Sequence, residues 1–272
     1  MTDRITQYGN DGLTFDVIDS GPIDGDVVVL LHGFPQTAKS WDKVSELLHA
    51  RGFRTLAPNQ RGYSAGARPA ARRQYTSDKL VGDVAALIDL TGGPVHVVGH
   101  DWGAAVAWAL TATRPELVRT LTAVSVPHPG AFIKAMVVGT QALHSYYMGI
   151  FQLPWVGERF ARLGIPRSGM PPEALAVSRS EVLDSPALTT ALNWYRALPF
   201  TSPRAASTPV TRPTTYIWSD GDVALGRKGA LLTERFVHAP YRFEIVEGAT
   251  HWLPDTHPEV IAQAVIDRAA DG

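Results

Sequence analysis

Val95-His96-Val97-Val98-Gly99-His100-Asp101-Trp102-Gly103 is the stretch whose reading decides the fold. A short β-branched run ends at a glycine, Asp101 stands midway between Gly99 and Gly103, and a helical pattern begins at once. A strand that turns this sharply into a helix strains its central residue. It also brings the helix so near that flanking side chains would clash, which suits glycine on both sides. The elbow lifts one side chain clear of the backbone, and here that side chain is a carboxylate.

The carboxylate selects the chemistry. With a reference pKa of about 3.9, Asp101 is ionised at neutral pH and needs no base to become a nucleophile. Serine attacking saturated carbon would leave an unreactive ether, whereas aspartate leaves an ester that water can cleave. Epoxides and alkyl halides are therefore the fitting electrophiles. The alternative role for an aspartate at this position is a plain helix N-cap.

The rest of the chain supplies a scaffold for such an elbow. Its 272 residues suit one large domain or a domain with an insertion. Lys plus Arg number 25 against 26 Asp plus Glu, so the net charge of -1 points to neither nucleic acid nor membrane as a partner. There is no cysteine, which removes disulfides, thiol catalysis and Cys-based metal sites. Met1 to Asn10 is polar and no apolar run is long enough to span a bilayer, so a cytoplasmic protein is expected.

Strands are expected at Leu13 to Ile18, Val27 to Leu31, Arg54 to Ala57, Val95 to Gly99, Val118 to Val126, Thr214 to Trp218 and Tyr241 to Val246. Helical patterns fall between them: one capped by Ser40, one from about Ser77 to Gly92, an alanine-rich one after Gly103, one over Leu231 to Val237, and one opened by Pro258. From Gly130 to about Thr211 the alternation lapses into prolines and helical patches. This predicts an α/β fold with a mostly parallel sheet flanked by helices. Residues 1–129 and 212–272 form the core domain and 130–211 an inserted helical cap.

Nucleophile, acid and histidine are expected in that chain order. His251, in the loop after the last strand, is the expected base; His257 opens the final helix and suits a cap or surface role, and His100 should point to the other side of the elbow. No carboxylate lies between Glu116 and Glu158, so the acid falls to the loop after Trp218. Asp222 is favoured there, with Asp220 as an Asx-turn residue. The turn His32-Gly33-Phe34-Pro35 resembles the oxyanion loop of α/β-hydrolases, which implies that a backbone N–H near Phe34 acts with the Trp102 N–H as an oxyanion hole.

These motifs resemble the epoxide hydrolases of the α/β-hydrolase fold over nearly the whole chain. His32-Gly33-Phe34-Pro35 matches the family's HGxP motif, and Gly99-His100-Asp101-Trp102-Gly103 its elbow. Tyr147, Phe151, Gln152 and Pro154 fit its Tyr-x-x-x-Phe-Gln-x-Pro segment, and Asn193-Trp194-Tyr195-Arg196 the segment with its second cap tyrosine. The resemblance implies that Tyr147 and Tyr195 hold the epoxide oxygen, with Tyr146 a rival to Tyr147. A phenol with a pKa of about 10 suits this task, since an opening epoxide releases a strongly basic alkoxide. His32, Pro35, Trp155 and Trp252 are expected to border the substrate pocket. Trp155, Ser219 and Ser64 depart from glycines frequent in the family, and Trp155 could narrow the cavity.

The implied reaction joins a small epoxide and water into a vicinal diol through an aspartyl ester, with no cofactor; a homodimer is compatible with it. A haloalkane dehalogenase would share Asp101 but leave the two tyrosines without a task. A catalytically silent ligand receptor on the same scaffold is the alternative from another class.

Overall fold

The strands richest in apolar residues take the centre of the sheet. The computed structural model describes residues 3–271. Its strands are β1 (Gln7–Asn10), β2 (Leu13–Ser20), β3 (Val27–Leu31), β4 (Arg54–Pro58), β5 (Val95–His100), β6 (Val118–Val124), β7 (Thr214–Ser219) and β8 (Tyr241–Val246). They form one sheet in the order β1-β2-β4-β3-β5-β6-β7-β8, antiparallel at β1–β2 and β2–β4 and parallel elsewhere. β5 is buried throughout and β3 at all but its first residue, whereas the edge strands β1 and β8 are partly open. That is why β3 and β5 read as continuous apolar runs.

Successive residues of each central strand feed opposite cores. The helices are α1 (Asp42–His49), α2 (Ser77–Asp89), α3 (Trp102–Thr113), α4 (Pro129–Val138), α5 (Gln141–His144), α6 (Tyr146–Phe151), α7 (Val156–Gly164), α8 (Pro172–Ser178), α9 (Ala187–Arg196), α10 (Arg204–Ser207), α11 (Arg227–Leu232), α12 (Leu253–Thr256) and α13 (Pro258–Ala270). On one face α1 and α13 set Leu48, Ile261 and Val265 against Val28, Leu30 and Val98. On the other, α2 and α3 set Leu87, Ala107 and Trp108 against Val29, Leu31 and Val97. The alanines of α3 let it lie close to the sheet. A Cβ on Gly103 would fall 2.0 Å from the Leu31 carbonyl oxygen, and one on Gly99 would fall 2.3 Å from the Gly103 carbonyl oxygen.

Helices α4 to α10 all lie between β6 and β7, with no strand among the described residues of that segment. Two bonds seat them on the Arg61-Gly62 loop: the Trp194 indole donates to the Arg61 carbonyl at 2.7 Å and the Thr190 hydroxyl to that of Gly62 at 2.6 Å. The loop is itself fixed from below, where the fully buried Arg61 guanidinium binds both oxygens of Asp83 at 2.7 Å. Removing one partner of so buried a pair costs about 3–5 kcal/mol, because the other charge is left without water or counterion.

Three local expectations give way. β1 is a strand despite its polar sequence, because it needs only one buried side chain, Tyr8, to pack as an edge hairpin with β2. Ser40 is no N-cap: its hydroxyl donates to the Thr37 carbonyl inside a 3₁₀ turn, Ala38–Trp41, that precedes α1. The helix placed over Leu231 to Val237 starts earlier, as α11, and ends in a 3₁₀ turn, Thr233–Phe236.

Gly103→Ala is expected to lose about 3 kcal/mol or more in denaturant unfolding, since the new methyl meets strand backbone that cannot turn aside. A loss within 0.5 kcal/mol, roughly the scatter of neutral surface changes, would contradict so tight an approach.

Candidate active site

The elbow holds Asp101 at φ 51° and ψ -121°, a conformation that side-chain-bearing residues seldom adopt. Strain of about 1–3 kcal/mol is typical of such a position and persists only where the surroundings over-determine it. Here the registered end of β5 and the close approach of α3 do so. Asp101 Oδ1 accepts the Phe34 N–H at 2.7 Å, and the Trp102 N–H adds a second backbone donor. Burial works to raise the carboxyl pKa, but the bond and charge of His251, the charge of His100 and the Trp102 N–H outweigh it and the net shift is downward. Asp101 is thus ionised within a largely apolar site.

His251 lies between two carboxylates. Its Nδ1–H donates to Asp222 Oδ2 at 2.7 Å, and its Nε2 faces Asp101 Oδ2 at 3.6 Å, the distance of an ion pair more than of a hydrogen bond. Asp222 is kept rigid, because its other oxygen accepts the N–H groups of Ala224 and Leu225 at 2.8 and 3.1 Å. Burial pushes the imidazole pKa down, but the charges of Asp222 and Asp101 and their bonds win, carrying it up to about 10. Asp220 points elsewhere and accepts the Gly248 N–H at 2.7 Å.

Two phenols stand over the carboxylate. Tyr147 on α6 and Tyr195 on α9 have ring centres 6.1 Å apart, and both border a cavity of about 500 Å³ that reaches Asp101. Burial first, and then the charge of Asp101, raise both phenol pKa values, so each keeps its proton at neutral pH. Tyr146, 63 % exposed, turns to solvent, as the rotation of about 100° per helical residue requires. The two helices are joined: Gln152 Nε2 donates to the Tyr195 carbonyl at 2.9 Å, and Arg196 donates to the Phe151 carbonyl at 2.9 Å while pairing with Glu158 at 3.0 Å.

The four residues expected to border the pocket lie elsewhere. His32 is 1 % exposed and spent on the loop, with its Nε2 accepting the Gln60 N–H at 3.2 Å. Pro35 is buried beside it, behind the Phe34 N–H rather than on the cavity wall. Trp252 packs edge-on against His251 at 5.0 Å and donates to the Ser168 carbonyl at 3.2 Å. Trp155 sits on a positive-φ turn before α7 and is 86 % exposed, so it narrows nothing. The wall is built by Ala105 and Ala109 of α3, Phe132 and Met136 of α4, Met148 of α6 and Leu198. Ordinary helix patterns hide these residues in the sequence. His100 was equally unmarked as a support: its Nε2–H donates to the His251 carbonyl at 2.9 Å, where the Ser125 hydroxyl also reaches at 3.3 Å.

Buried histidines give the fold a pH window. Burial carries His32, His100 and His128 down to about 4, against about 6.5 in an unfolded chain. Between those values the unfolded chain takes up protons that the folded one refuses, so stability falls as pH drops through 6.5 toward 4. His251 has the opposite sign: its contribution is complete below about 6.5 and is lost as pH rises toward 10. The melting temperature is therefore expected to peak near neutrality, and His251→Gln to flatten the alkaline side. An unchanged alkaline decline in that variant would contradict the assignment.

The family model for the alpha/beta hydrolase fold matches residues 26–169. The AB hydrolase superfamily protein YfhM of Bacillus subtilis is 36 % identical over 94 % of each chain. Epoxide hydrolase 3 of Xenopus tropicalis is 30 % identical over 94 % of this chain and 74 % of its own. A solved structure described among novel epoxide hydrolases from metagenomes of hot environments is 29 % identical, with a TM-score of 0.84 over 98 % of this chain and 97 % of its own. The chain belongs to the α/β-hydrolase family and, within it, groups with the epoxide hydrolases.

Proposed function

We propose that the protein opens an epoxide to a vicinal diol through a covalent ester on Asp101, with α4 to α10 acting as a cap that carries the proton donors. The reading is carried by one juxtaposition: a buried, ionised aspartate on the elbow and two protonated phenols bordering the same apolar cavity. The names of the relatives support it; that of the Bacillus subtilis protein specifies no substrate.

In the first half, Asp101 attacks a ring carbon, the C–O bond breaks, and the departing oxygen takes a proton from Tyr147 or Tyr195. The imidazolium of His251 returns a proton to the phenol. Esterification also removes the Asp101 charge, one of the causes that hold the proton on the ring. His251 is then a neutral base, oriented by Asp222. In the second half it takes a proton from water, the hydroxide adds to the ester carbonyl, and the oxyanion rests on the N–H groups of Phe34 and Trp102. Collapse expels the alkoxide, which takes the proton of the carboxylic acid just formed on Asp101, so the diol leaves and Asp101 is again a carboxylate beside a protonated His251. Losing one such donor costs about 3 kcal/mol in comparable sites.

The decisive experiment offers styrene oxide and a 1-haloalkane to the wild type and to His251→Gln. Diol without halide release, with the variant gaining the mass of one epoxide on Asp101, is the expected result. Halide release alone, or a variant that turns over without any adduct, would reject the scheme. Tyr147→Phe combined with Tyr195→Phe should lower epoxide turnover at least about 100-fold, the lower end of general acid catalysis. Retained turnover would take the phenols out of the reaction.

A further inference from the structure

The net charge of the whole chain averages over a surface that is locally neither neutral nor polar. From Leu117 to Pro172 the sole carboxylate is Glu158, which is buried and paired with Arg196. The exposed groups of that segment are large apolar side chains and cations. Val137 is 80 % exposed, Leu143 76 % and Trp155 86 %, and Val138, Tyr146 and Val156 are each at least half exposed. Lys134, Arg159, Arg162 and Arg167 stand exposed among them. Helices α4 to α7 pack consecutively, each against the next, so these residues belong to one continuous part of the surface. Lys228 extends the positive rim, with its side chain beside Gly139 at the end of α4. Asp184 bounds the face on one side, following the Leu183 carbonyl that Arg162 binds.

The α4 part of this face borders the cavity. Ile133 and Val137 of α4 both border the cavity and are 54 % and 80 % exposed. A cluster of exposed apolar side chains rimmed by charged ones is the usual mark of an interaction site. Its charge identifies the occupant. A second copy meeting this face through a two-fold axis would bring cations against cations. Exposed apolar side chains that include Trp155, accompanied by Lys and Arg with no exposed carboxylate between Leu117 and Pro172, match an anionic lipid surface.

We infer that the α4–α7 face docks on anionic bilayers, placing the cavity mouth at the lipid boundary. The docking stands on surface chemistry alone. That an apolar epoxide then enters directly from the membrane rests on the function proposed above.

The test is flotation of the full chain with vesicles of phosphatidylglycerol and phosphatidylcholine in equal parts, and with phosphatidylcholine alone, at low salt. Binding to the anionic vesicles that salt releases is expected. Lys134→Gln with Arg159→Gln should weaken it about 25-fold, at about fivefold for each cation removed. Leu143→Ser with Trp155→Ser should weaken it at least about tenfold. Unchanged melting temperatures would show that the variants fold, and neither pair touches Asp101 or the cavity wall. No association, equal association with both vesicles, or association indifferent to all four substitutions would overturn the inference. So would a dimer in solution that Trp155→Ser dissociates, because it would assign the face to a second copy. All of these readouts are independent of turnover, so a failure of the epoxide reading leaves them intact.

Discussion

The approach of α3 to the end of β3 is the constraint from which the site follows. With Gly103 backed against the Leu31 carbonyl, the chain leaving β5 has no room to turn gradually, and Asp101 takes up the whole change of direction at positive φ. The carboxylate then projects beyond the sheet edge, where the Phe34 N–H is already waiting at the end of β3. Neighbouring parallel strands therefore bring nucleophile and donor together without any long-range adjustment. The alanines along α3 serve the same end, since a bulkier face would lift the helix and relax the turn.

Electrostatics at the site are a contest between burial and charge. Left to burial alone, His251 would follow His100 and His32 toward loss of its proton. Two carboxylates reverse that, and the two are of different kinds. Asp222 is immobilised by backbone N–H groups and forms no bond to substrate in the proposed cycle, whereas Asp101 would lose its charge on forming an ester. In the proposed cycle one imidazole serves as proton source and proton acceptor at different stages.

The elbow, the strand order around it and the histidine were legible because each is local: a glycine pattern, an apolar run, a loop after a strand. The choice of Asp222 over Asp220 was also within reach, since the turn after β7 limits which residue can come round to face the sheet edge. Tyr147 over Tyr146 came from the resemblance alone, because the choice depends on how α6 is rotated against α9, which Gln152 and Arg196 fix by reaching across to backbone carbonyls. The cavity wall was misread for a related reason. His32, Pro35 and Trp252 adjoin site residues in sequence, yet they lie in loops whose side chains are engaged away from the cavity, His32 by the Gln60 N–H and Trp252 by the Ser168 carbonyl. Trp155 was read from a family position whose backbone here turns the ring outward.

The Arg61–Asp83 pair has a reach that its position far beneath the tyrosines conceals. Asp83 also accepts the side-chain amide of Asn10 at 2.8 Å on the outermost strand, and the Arg61 carbonyl takes the Trp194 indole, whose neighbour in the chain is Tyr195. The edge of the sheet and the phenol above the nucleophile are therefore successive stations of one bonded line. Attempts to remodel the amino-terminal hairpin, by fusion or loop grafting, would be changes at the foundation of the roof over Asp101, however remote they look on a map of the surface.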